Sequence, residues 1–338
     1  MPAKRAAKAE PDLVRVLEAV YDLEADEGRW MQGVLDAIRP ALDDGLGLAA
    51  YIYDTSKRPF EIRGLIHDVP IDPSGVASLM DESNDEYVRR SWIARSAMTA
   101  SETPGYDTHP GVLEVFHPAG IHDIMVINAL DPIGIGCWIG APLRKLYRLE
   151  GVERERWNRV AAHVRSALRL RLRLAARSSA VPSEYTGDTG DIEAVLTRDG
   201  KVEHVEPSAA SARTALHDAV LGMERARNEL RHDIDRALPS WKALVQARWT
   251  LIDDFHSDGS RYVVARANGF SSMGTALLTP RERQVMACIA IGQTNKEAAY
   301  ELGLSPSTVR VLVARASAKL GASTRDELVA KYRASNLG

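Results

Sequence analysis

The sequence predicts an α+β chain: a body of helices and antiparallel strands, followed by an all-α end of four short helices. Three observations carry this prediction. Between Pro11 and about Ala180, apolar runs of strand length are interleaved with stretches of helical periodicity. Two strand pairs follow, centred on Asp199-Gly200 and Asp258-Gly259, and Asp-Gly between alternating segments is a strong hairpin signal. From Leu278 onward only helical periodicity remains, punctuated by Thr-Pro, Thr-Asn, Ser-Pro and glycine.

Composition bounds the function. A chain of 338 residues predicts two or three domains, and 45% hydrophobic residues supply an ordinary core. Cys137 and Cys288 are the only cysteines, which excludes a disulfide scaffold and fits a reducing compartment. No apolar run approaches the roughly 18 residues of a membrane span, and no signal-peptide pattern opens the chain. A soluble cytoplasmic protein is expected.

In chain order, residues 1–10 are small and charged and read as a flexible end. Leu13 to Tyr21 and Trp30 to Leu42 are amphipathic helices. Gly47 to Tyr53 is a buried strand closed by Asp54, and Glu61 to Ile66 alternates like a second. Ser83 to Thr99 reads as helix, and Ile121 to Leu130 and Gly134 to Leu143 as strands. A long helix from about Val152 to Ala176 completes a first domain spanning 11–177. Its many arginines accompany Val160, Val164, Leu168, Leu170, Leu172 and Leu174, so apolar residues occupy more than one stripe. Such a face usually meets a second partner, and a helix shared between two subunits is the preferred expectation. A solvated basic surface covering its own domain is the bland alternative, and direct DNA contact a weaker third one.

Residues 178–191, with Pro182, Gly187 and Gly190, read as a linker. A smaller α+β module, 192–270, then contains Glu193 to Thr197 paired with Lys201 to Glu206, helix from Ser208 to about Val245 broken near Pro239, and Arg248 to Asp254 paired with Arg261 to Ala267. Trp241 and Trp249 belong either to a pocket or to the core of this module.

The end of the chain, 276–338, is the sharpest signal. Thr279-Pro280 with Glu282 starts a helix, because the hydroxyl accepts an orphan amide and Pro at the first position loses no needed donor. Val285, Met286, Ile289 and Ala290 bury one face. Thr294 and Asn295 cap a second helix, Lys296 to Leu302, and Gly303 closes it. Ser305-Pro306 starts a third, Pro306 to about Leu320, after a turn of about three or four residues, the length a helix-turn-helix needs. Val309, Leu312, Ala316 and Leu320 face inward; Ser307, Arg310, Val311, Ala314 and Arg315 face outward. Thr324 to Ala334 forms a fourth helix.

The blocks Leu278-Thr-Pro-Arg-Glu, Asn295-Lys-Glu-Ala-Ala, Ser305-Pro-Ser-Thr-Val-Arg and Lys319-Leu-Gly, in this order and at this spacing, resemble the LuxR/FixJ-type helix-turn-helix of bacterial transcription regulators. The resemblance covers about Leu278 to Tyr332. It implies double-stranded DNA as partner, with Arg310, Val311 and Ala314 at base edges and Lys296, Thr308 and Arg315 at phosphates. A guanidinium suits guanine and a valine methyl suits thymine, while Lys and Thr mostly fix register. In the family the fourth helix often mediates dimerisation, which points to Val329 and Tyr332 as exposed apolar positions; packing of either on the bundle itself is the alternative. Leu312 stands where many members carry His, and Ala298 where isoleucine is usual, which bears on sequence preference more than on fold. From Leu278 onward nine Lys or Arg face five Asp or Glu, a net +4, leaving −7 on the rest of a chain whose formal total is −3. A head so weakly basic is expected to bind weakly alone and better as two copies on adjacent half-sites.

The element order of the body resembles GAF-like or PAS-like sensory modules, the second one reduced. That resemblance implies a small-molecule ligand between sheet and covering segments, with Tyr51, Tyr53, Trp92 and Trp138 as candidate lining. The expected function is a one-component transcription regulator and homodimer, with RNA polymerase as a further candidate partner. It is not expected to be an enzyme or to need a cofactor. A sigma-like promoter-recognition factor is the alternative, although no polymerase-binding region is visible upstream. A metal-dependent enzyme using His109, His117 and His122, with Asp107, Glu114 and Asp123 nearby, is a lesser one, since the spacings fit no standard metal motif. Cys137, beside Trp138 in an apolar strand, is redox-active, a haem ligand or, as is usual for a lone buried Cys, a small hydrophobe. Phosphate-loop and receiver-type patterns are absent from the sequence.

Overall fold

The computed structural model describes residues 11–57, 61–71, 95–178, 192–246, 248–255, 260–268 and 277–335. The chain divides into two compact units, Met1–Leu168 and Arg169–Gly338, and the division falls inside one helix.

In the first unit, α1 (Leu13–Val20) and α2 (Glu27–Leu42) each begin at an aspartate, Asp12 and Asp26, whose carboxylate accepts a backbone N–H one turn on. Their apolar stripes, led by Leu13, Leu17, Trp30, Leu35 and Ile38, are fully buried. Five strands follow: β1 (Ala49–Asp54), β2 (Glu61–His67), β3 (Ala97–Thr99), β4 (Asp123–Leu130) and β5 (Ile135–Leu143). They form one antiparallel sheet in the order β2-β1-β5-β4-β3. Strand alternation places Ile52, Cys137, Ile139 and Ile127 on one face. Tyr51, Tyr53, Trp138 and Asn128 share the other.

The end of the segment read as helix, Ser83 to Thr99, is strand β3; residues 83–94 lie outside the described residues. Met98 pairs with Val126, and Thr99 then caps a short turn closed by Glu102. A three-residue edge strand carries too few residues to show its period.

The long helix α3 (Gly151–Ser178) carries the apolar stripes noted above. Every residue from Val160 to Leu170 is buried, including His163, Arg165 and Arg169. Leu172 and Leu174, further along the helix, are half-buried. In the first unit, Arg165 donates to the Leu130 carbonyl at 2.6 Å, and His163 meets the Tyr21 hydroxyl at 2.7 Å.

The second unit carries β6 (Ile192–Thr197), β7 (Val202–Val205), β8 (Leu244–Val245), β9 (Trp249–Phe255) and β10 (Arg261–Ala267), in the order β7-β6-β10-β9-β8. Counted from its own first strand, this sheet has the same antiparallel winding as the first, 2-1-5-4-3. Helices α4 (Arg213–Arg227) and α5 (Ile234–Ser240) connect its second and third strands. The helix expected to reach Val245 thus stops at Ser240, and Leu244 and Val245 pair with Thr250 and Trp249 instead. Ala194, Leu196, Leu251, Val263 and Ala265 are inaccessible. Trp241 and Trp249 are core residues, each beneath an arginine, Arg227 and Arg248 respectively, about 4.7 and 4.6 Å from the ring centres.

Four helices end the chain: α6 (Pro280–Ala290), α7 (Asn295–Glu301), α8 (Pro306–Leu320) and α9 (Arg325–Ser335). They share a core of Leu278, Val285, Met286, Ile289, Ala298, Ala299, Leu302, Val309, Ala316, Leu328 and Tyr332.

Candidate nucleic-acid interface

Each helix of the four-helix head starts where the sequence supplies a cap. Thr279 accepts the Glu282 N–H while Glu282 accepts the Thr279 N–H at 2.8 Å, a reciprocal capping box. Thr294 and Glu297 repeat the arrangement at α7. At α8, Ser305 Oγ accepts the Thr308 N–H at 3.0 Å, and Pro306 occupies the first turn. Gly321 ends that helix with φ 63°, a left-handed conformation suited to glycine.

Charge fastens the head internally. Lys319 on α8 donates to Glu282 at 2.7 Å, tying the end of the third helix to the start of the first. Burial pushes the Glu282 carboxyl up, but the Lys319 and Thr279 hydrogen bonds more than offset this and hold it below the ordinary glutamate range. Arg325 donates to the Gln293 carbonyl at 2.5 Å and Arg333 to that of Ala290 at 2.6 Å, so the two guanidinium groups meet carbonyls at the end of α6 and in the turn after it.

What this leaves outward is one face of α8. Arg310, Val311, Ala314 and Arg315 are exposed, Val311 at 49%, while Val309 and Ala316 are inaccessible and Leu312 and Leu320 half-buried against the core. Thr308 and Lys296 are exposed too, and the Thr308 hydroxyl lies 2.8 Å from Ser305 Oγ. The six residues expected to touch DNA are therefore all on the surface of the head, four on one helix face and two at helix starts. Tyr332 is a correction. It is 5% exposed, its ring belongs to the bundle core, and its hydroxyl reaches the Arg283 carbonyl, so it presents no apolar surface to a second subunit. Val329 is half-buried against the same core.

Sequence reasoning missed how the head is held within the second unit. Glu301, the last residue of α7, is almost wholly buried and accepts from Arg169 of α3 at 3.1 Å and from Gln293 at 2.5 Å. Gly303 has φ 58°, and a Cβ there would overlap the Leu244 carbonyl and lie 2.8 Å from the Gln246 nitrogen. Arg281 donates to the Gln246 carbonyl. No local pattern announces these contacts, which join residues far apart in sequence.

Of the candidate pocket residues, Tyr51 stacks on Trp138 with centroids 4.9 Å apart, and the Tyr53 hydroxyl donates to Asn128 at 2.6 Å. All three aromatics are buried, and Gly136 and Gly140 make room for the Tyr53 and Trp138 rings respectively. Asn128, paired across from Trp138, completes the group and was not foreseen. Trp92 lies outside the described residues. Burial pushes the Cys137 thiol up to about 12, which keeps it protonated and unreactive at neutral pH.

The histidine group has a different arrangement from a metal centre. His117 and His122 rings tilt against each other at 5.1 Å. Asp123 is inaccessible and accepts from the Ser101 amide and hydroxyl and from the Tyr147 and Ile124 amides. Among the described residues no three His, Cys, Asp or Glu side chains converge as metal ligands. Among them, too, no helix is long and apolar enough to cross a membrane.

The head defines a helix-turn-helix class of domain, and comparison agrees: residues 276–332 match the family described as bacterial regulatory proteins, luxR family. Similar proteins include the HTH-type transcriptional activator RamA of Corynebacterium glutamicum, 47% identical over 55 residues, 16% of this chain and 20% of that protein. The transcriptional regulatory protein FixJ of Azorhizobium caulinodans is 48% identical over 52 residues, 15% of this chain and 25% of its own. The transcriptional regulatory protein UhpA of Escherichia coli is 55% identical over 51 residues, 15% and 26%. The chain thus spans about a fifth to a quarter of the length of these relatives.

Proposed function

We propose that the protein is a DNA-binding transcription regulator that reads a promoter site with α8. The observation that carries this reading is the exposed Arg310, Val311, Ala314 and Arg315 face on a capped helix of a luxR-type head. Arg310 meets a guanine edge through its forked donors, Val311 and Ala314 make apolar contact with neighbouring bases, and Lys296, Thr308 and Arg315 fix register on phosphates. In the same reading the protein acts in the cytoplasm as a homodimer, two heads on adjacent half-sites offsetting the small charge of each. The body has a GAF-like or PAS-like sensory role, and Tyr51, Tyr53 and Trp138, with Asn128, form the wall that meets a small ligand. The two antiparallel sheets and the one-sided gathering of these side chains support that role.

The test is binding of the full chain to its best site, selected from random duplexes. Arg310→Ala is expected to weaken binding by about 1–3 kcal/mol and to relax preference at one base position. Unchanged affinity and preference would remove α8 as the reading helix.

A further inference from the structure

We propose that Arg169 and Glu301 are positioning residues for DNA recognition: their buried ion pair fixes the pose in which the head is presented, without touching DNA. This rests on the DNA-reading function proposed above. Glu301 ends α7, the helix before the recognition helix, and its two carboxylate oxygens are divided between Arg169 Nη2 at 3.1 Å and Gln293 Nε2 at 2.5 Å. The paired side chains are 8% and 1% exposed. An ion pair so buried is a poor device for stability alone, because apolar side chains of similar volume do as well or better; what it supplies is register, since few other arrangements satisfy both charges.

Two further contacts join the head to the rest of the second unit. Gly303 brings its backbone against Leu244 and Gln246 at a distance no side chain would permit, and Arg281 donates to the Gln246 carbonyl. All three anchors lie on α6, α7 or the turn before α8. The Arg310, Val311, Ala314 and Arg315 face stays exposed while they are made. The head is gripped by surface it does not read with, so the grip aims the reading helix and does not block it.

Aiming matters when two heads must meet half-sites about one helical turn apart. Glu301→Gln keeps shape and the capacity to bond Gln293 but deletes the charge facing Arg169. In the full chain, hydrogen exchange at residues 244–246 and 295–303 is expected to rise about tenfold as the docked state opens more often. Binding to a single half-site is expected to stay within about twofold, because the reading face is intact. Discrimination between correctly spaced half-sites and a duplex mis-spaced by about half a turn is expected to fall about fivefold. Arg169→Met, which alters no residue of the head, must reproduce these changes, and the double exchange Arg169→Glu with Glu301→Arg must restore spacing discrimination.

Unchanged exchange and spacing preference in Glu301→Gln would overturn the proposal. So would an equal loss on single and double sites, which would mean that the pair merely keeps the head folded. Arg310→Ala in the same assays reports separately on the parent reading: normal binding by that variant would sink DNA reading by α8 whatever Glu301→Gln does.

Discussion

Glu282 and Asp123 are both buried carboxylates, and their surroundings drive them in opposite directions. Around Asp123, burial outweighs the hydrogen bonds from Ser101, Tyr147 and Ile124 and raises the carboxyl above its ordinary value. Around Glu282, the Lys319 and Thr279 bonds prevail and lower it. A carboxyl depressed on folding adds stability above its unfolded value, and that stability is lost as pH falls through the folded one. Head stability attributable to Glu282 should therefore fade below the ordinary glutamate range near pH 4.5. Glu282→Gln can keep the capping box but not the charge-assisted bond, so acid titration of its unfolding should lose this slope, at a neutral-pH cost of about 1 kcal/mol or less because Lys319 is partly exposed. A variant with the same acid slope as the parent would refute the assignment.

At the scale of elements, caps decided what was legible. The head's helices were placed within about a residue because Thr-Pro, Thr-Asn, Ser-Pro and Gly321 mark their ends in the sequence itself, and the inward and outward sides of α8 followed from its period. Strands β3 and β8 were lost into neighbouring helical patterns, being two or three residues long and defined by pairing with β4 and β9. The pocket aromatics were visible as residues, but their gathering around Asn128 follows from register across three strands. For α3, the apolar positions from Val160 to Leu170 were visible in the sequence, but what covers each stripe is not, since sequence does not say which surface meets a second stripe. Tyr332 was readable in principle: it follows Leu328 by four residues, which places both on the buried face of α9. Tyr332→Ala should cost about 3 kcal/mol or more in head stability, and Val329→Ala, at a half-buried site, about 1 kcal/mol. Denaturation of the two variants checks this. A Tyr332→Ala chain of undiminished stability but altered subunit count would return that residue to an interface.

For the whole molecule, the described residues place each sheet's hydrogen-bonded ladder within a single unit. Calorimetry should accordingly resolve more than one unfolding transition. Asp123→Asn, which replaces an acceptor of four hydrogen bonds by a poorer one, should shift only the transition of the first unit, and Glu282→Gln only that of the second. A single transition moved by both would show that the units melt as one.

The repeated 2-1-5-4-3 winding has a consequence for how such a chain is able to change over generations. Because every strand of the second sheet finds its partners between Ile192 and Ala267, that stretch is a complete cassette. Gene duplication supplies such a cassette whole, and recombination is able to replace it without cutting a ladder. The head's anchor on Leu244 and Gln246 sets the condition for such an exchange: a transplanted cassette has to bring a third strand whose end still accommodates Gly303.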